Sequence, residues 1–160
     1  MKRIIIVLFF MFIGLLAYGQ SARTYNLVKT HCDQINRTDK GLGSYIWGII
    51  NYYNPQMVTN LVTREPNTNK RRIGLCQVHE FIVQLNTGQY DPYDLYGSII
   101  MSRDYLQQSV RRGNNFSYAL FWLLYGLDSF ENMNDVYASW AAEDLPKIRE
   151  LANEFTGWGF

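Results

Sequence analysis

Gln77 is a candidate binding group. It closes the run Ile73-Gly74-Leu75-Cys76-Gln77-Val78-His79, where a glycine turns a polar stretch, Thr63 to Arg72, into an apolar pattern. An amide just past such a turn reaches back to loop backbone or forward into a cleft. The same run holds one of only two cysteines, Cys76; the other is Cys32. In an oxidising compartment a Cys32–Cys76 disulfide is one expectation, and two buried free thiols are the other. With His31 and His79 beside them, the cysteines also make up a set of zinc-type ligands. His31 and Cys32 are adjacent, however, and neighbours on a helix point in different directions. A tetrahedral site would strain, so no metal and no cofactor are expected.

The elements that must position these groups are mostly helices. Ser21 to Ile35 carries Val28, Cys32 and Ile35 on one face, and the cluster Asn36 to Gly41 ends it. A second helix opens at Ser44, runs through the apolar Tyr45 to Ile50 and stops at Asn54-Pro55. A long polar loop, Gln56 to Arg72, has room for a short strand or hairpin anchored by Val58, Leu61 and Val62. Leu75, Val78, Ile82 and Leu85 predict a third helix directly after Gly74. Asp91-Pro92 opens a fourth, with Leu95, Ile99, Ser102, Leu106 and Val110 as its buried stripe. Phe116 to Leu127 is almost wholly apolar and reads as the central helix. A helical piece around Val136 to Trp140 and a last helix from Asp144-Leu145-Pro146 follow. The expected fold is mainly α: one domain of six to seven helices with a polar loop or small hairpin.

The N-terminus reads differently. Lys2 and Arg3 precede an apolar run from Ile4 to Ala17, and Ala17-Tyr18-Gly19 has the small residues of a cleavage site. The run is shorter than the roughly 18 to 20 residues that span a bilayer. Residues 1–19 are therefore read as a signal peptide and 20–160 as the mature domain, secreted or periplasmic. The whole chain carries a formal charge of +1. Loss of Lys2 and Arg3 brings it to about −1. There is no basic excess and no basic helix, so a nucleic-acid partner is not expected. The 12 Tyr, 9 Phe and 4 Trp suit either a packed core or a groove for sugars, whose apolar faces stack on aromatic rings.

In order and spacing, four landmarks resemble the lysozyme-like fold of soluble lytic transglycosylases and goose-type lysozymes. They are the apolar helix ending in Ile49-Ile50, the turn Gly74-Leu75-Cys76-Gln77, the helix start Asp91-Pro92, and Leu124-Tyr125-Gly126-Leu127-Asp128 at the end of the central helix. Leu145-Pro146-Lys147 opens the last helix in the same manner. The resemblance covers about Tyr25 to Phe155. It implies that Tyr53, Gln77 and Tyr125 surround one groove holding peptidoglycan or a related N-acetylhexosamine glycan.

The family cuts glycan with one glutamate at the end of the Ile-Ile helix, which acts first as an acid and then as a base. Here Tyr53 stands at that position. A phenol with a pKa near 10 is a poor proton donor to a sugar ether. The resemblance thus implies an exported glycan-engaging protein with weak or lost cleavage. One alternative is an active lytic transglycosylase or muramidase using Glu65 of the polar loop, where goose-type enzymes carry auxiliary acids. Another is a structural or accessory protein of an envelope assembly, with a protein partner. Glu80 reads as a solvated surface acid.

Overall fold

The computed structural model describes residues 22–65, 69–86, 88–113, 116–126 and 135–156. The segment read as a signal peptide lies outside them. Among the described residues no helix is long and apolar enough to cross a membrane. They form a mainly helical domain of six helices with a small antiparallel sheet.

Helix α1 spans 22–38. Helix α2, Leu42–Tyr53, follows after a left-handed Gly41. It begins two residues before Ser44, the expected cap. Ser44 is buried inside the helix, and its backbone N–H donates to Asn36 Oδ1 at 3.0 Å. The capping group thus comes from the end of α1, a choice that local sequence rules do not anticipate. Ile46, Ile49 and Ile50 are fully buried, as the all-apolar composition requires.

The polar loop does contain a hairpin. Strand β1, Val62–Arg64, pairs with β2, Arg71–Ile73, and β2 pairs with β3, Val78–His79. The predicted third helix is corrected here. Residues 74–77 are a turn, Val78 and His79 are strand, and only Glu80–Leu85 is helical, as α3. Gln77 has φ of 51°, a left-handed conformation that breaks any helix through it. Sheet pairing of Val78 with Ile73 decides the rest.

Helix α4 covers Leu95–Arg111 and starts later than Asp91-Pro92. Asp91 instead accepts from Tyr93 N in a local turn, and Asp94 caps the helix by accepting from Gly97 N at 2.8 Å. Helix α5 is Phe116–Tyr125. The two expected final helices are one, α6, Asp135–Thr156, with Pro146 inside it. The carbonyl that Pro146 leaves without an amide partner belongs to Ala142, which is exposed.

Helix α2 packs along α6, α4 on α5, and α5 on β3. Gly48 makes the first contact close: a Cβ there would press on the Ile148 carbonyl of α6. Ile99, Leu106, Leu123, Leu124 and Ile148 are fully buried between these layers. Each such side chain contributes about 1.5–3 kcal/mol on burial.

Candidate functional site

The last residues of α2 and α5 meet over the sheet. Tyr53 ends α2, Tyr125 ends α5, and their hydroxyl oxygens are 3.4 Å apart. Asp144 of α6 lies between them. Its Oδ2 accepts from Tyr125 at 2.6 Å and from the Tyr53 hydroxyl, while Oδ1 accepts from Tyr52 at 2.7 Å. Three phenols therefore donate to one carboxylate. Tyr125 is fully buried; Tyr52, Tyr53 and Asp144 are half-buried.

The floor comes from the sheet. Directly opposed residues of antiparallel strands share a face. Thr63 opposes Arg72, and Arg72 opposes His79, so these three form one row. The guanidinium of Arg72 lies 4.5 Å from the Tyr53 ring centre and 5.0 Å from that of Tyr125. Its Nε donates to Glu65 Oε1 at 3.3 Å, with the two side chains 10% and 1% exposed. Burial works against the Arg72 charge. Tyr53, Glu65 and Tyr125 outweigh it and raise its pKa, so Arg72 stays cationic. Gly126, just after Tyr125, lies against the imidazole of the buried His79.

Gln77 stands apart from this cluster. It is 1% exposed. Its Nε2 donates to Gly74 O at 2.7 Å and to Leu61 O at 3.1 Å, and its Oε1 accepts from Thr63 Oγ1 at 2.5 Å. Of the two options for its amide, the structure has the backward one: Gln77 ties β1 to the turn. Through Thr63 it joins the row that carries Arg72. Cys32 and Cys76 are both buried, and both carry free thiols. Burial pushes the Cys76 thiol up to about 11 and raises Cys32 as well. Glu80 pairs with Arg71 at 2.7 Å on the outer side of the hairpin. His31 lies edge-on to Tyr96.

Sequence reasoning missed Arg72 and Asp144. A period-2 reading of Arg71-Arg72-Ile73 as a strand would have put the two arginines on opposite faces. Asp144 precedes the buried Ile148, Ala152 and Phe155 at helical spacing, on the inward stripe of α6.

Burial is the main cause that raises the Tyr53 and Tyr125 phenols, and the bonds to Asp144 add to it; for Tyr53 the nearby Arg72 pulls the other way. A folded pKa raised above the unfolded value of about 10 contributes stability that is complete below pH 10 and is lost as pH rises further. In an alkaline titration, a late fraction of the phenolate absorbance should appear together with loss of the helical circular-dichroism signal. Ionisation of every tyrosine near the ordinary value, with helicity intact, would contradict the buried network.

Comparison of the chain with models of protein families, with curated proteins and with solved structures yields no match in any of the three.

Proposed function

We propose that this is an exported protein of lysozyme-like design that holds peptidoglycan or a related N-acetylhexosamine glycan without cutting it efficiently. The observation that carries this reading is the state of two acids: Asp144, bonded to Tyr53, and Glu65, linked to it through Arg72. Glu65 pairs with Arg72, and Asp144 accepts three phenolic hydroxyls. Both are engaged as acceptors where cleavage needs a carboxyl that donates a proton. The convergence of the α2 and α5 ends over a hairpin agrees with the resemblance in the order of motifs. Tyr52 and Tyr53, edge-to-face at 4.8 Å and each half-buried, present aromatic surface and hydroxyls, which suit the apolar face and polar edge of a sugar ring. An active enzyme using Glu65 would have to draw its proton from a buried ion pair, which disfavours that alternative.

Co-sedimentation with purified sacculi tests the binding half of this reading. The mature protein should pellet with sacculi in a saturable manner. Tyr52→Ala should weaken retention by about tenfold, the loss of one aromatic contact. Protein remaining in the supernatant at every sacculus concentration would overturn the proposal.

A further inference from the structure

One cavity shares no lining residue with the tyrosine–aspartate cluster. It has a volume of about 410 Å³ and opens between α3, α4 and α5. That falls within the size of small-molecule sites, roughly 300–1,000 Å³. One face of α4 lines it: Met101, Asp104, Tyr105, Gln108 and the capping Arg112 recur at steps of three, one, three and four. Trp122 of α5 stands across from them, and Ile82 gives an apolar floor.

The polar groups of this face divide into two sets. Asp104 is already satisfied, by Arg103 at 2.5 Å and by the Tyr90 hydroxyl at 2.7 Å. By contrast, the Tyr105 hydroxyl, the Gln108 amide and the Arg112 guanidinium make no hydrogen bond or ion pair with any described residue. These three donors line one wall, with Arg112 close enough to Tyr105 to act on it electrostatically and with no ion-pair partner among the described residues. Aromatic rings stand beside them.

We infer that this cavity is a binding site for a small acidic sugar, with the ligand carboxylate on Arg112. An arginine pairs a carboxylate through two parallel N–H donors. Tyr105 and Trp122 would take the apolar face of the ring, and Gln108 its hydroxyls. The choice of muramic acid among acidic sugars rests on the function proposed above.

N-acetylmuramic acid and N-acetylglucosamine share a ring and an acetamido group, and only the former carries a carboxylate. Both should be titrated into the mature protein by isothermal calorimetry, with NMR amide shifts to locate binding. The acid should bind about tenfold tighter. Arg112→Ala, an exposed change, should abolish that preference, and Arg111→Ala, an exposed neighbour outside the cavity lining, should leave it intact. No binding of the acid, equal affinities, or a preference that survives Arg112→Ala would each overturn the inference. If sacculi retain the protein but muramic acid does not bind, the cavity assignment falls and the proposed function stands. If muramic acid binds through Arg112 but sacculi do not retain the protein, the reverse holds.

Discussion

Gly74→Val should cost roughly 3–5 kcal/mol, lowering the thermal midpoint by about 10 °C or more. Two effects combine. Gly74 has φ of 78°, which a β-branched residue adopts only with strain. A Cβ at this position would also fall well inside the contact distance of the Pro92 carbonyl oxygen and lie 3.1 Å from Ser98 Oγ. The carbonyl belongs to backbone just before α4, so relief would require the loop to move. Gly113 separates the two effects. Its φ is 88°, yet a Cβ there meets nothing within 4 Å. Gly113→Ala therefore carries only the conformational cost, about 1 kcal/mol. Gly74→Ala should be clearly less stable than Gly113→Ala in thermal unfolding. Equal midpoints for the two would show that the Pro92 contact does not constrain the turn.

Arg72→Met should be the other severe change. It keeps much of the side-chain volume but removes the guanidinium from Glu65, whose side chain is 1% exposed, and from the two tyrosine rings. Breaking a buried pair by deleting one partner costs roughly 3–5 kcal/mol, because a carboxylate is left in a poorly solvated place. Removing both charges should cost less. Chemical denaturation of Arg72→Met, Glu65→Gln and the double variant forms a cycle. The double variant should be more stable than Arg72→Met alone. Additive losses would mean that the 3.3 Å pair carries no coupling.

Much of the scaffold was legible because it depends on local patterns. The apolar run Tyr45 to Ile50 could only be a buried helix, and α2 ends at Tyr53 as Asn54-Pro55 demands. Phe116 to Tyr125 followed from the same logic. The failures share a cause: tertiary contacts overrode local preference. The pattern Leu75, Val78, Ile82 fits a helix, yet Val78 pairs in a sheet with Ile73, a contact invisible to periodicity. Pro146 signals a helix start, yet α6 runs through it, packed along α2. That error hid Asp144, which was read as the start of a last helix and is instead the acceptor for three phenols. Tyr53, Gln77 and Tyr125 were expected around one groove; the structure brings the Tyr53 and Tyr125 hydroxyls to 3.4 Å. Gln77 was placed beside them by resemblance alone. Its amide is taken up by Leu61, Gly74 and Thr63, and only the folded turn reveals this.

In the proposed function the site engages glycan while its acids are held as acceptors. The most direct test is prolonged incubation of the purified mature protein with peptidoglycan sacculi, followed by chromatography of the soluble muropeptides. No anhydro-ended and no reducing-ended products should appear above the buffer control, from a preparation that sediments with the sacculi. Robust release of either product, abolished by Glu65→Gln in a folded variant, would contradict the proposed function and identify Glu65 as a working catalytic acid.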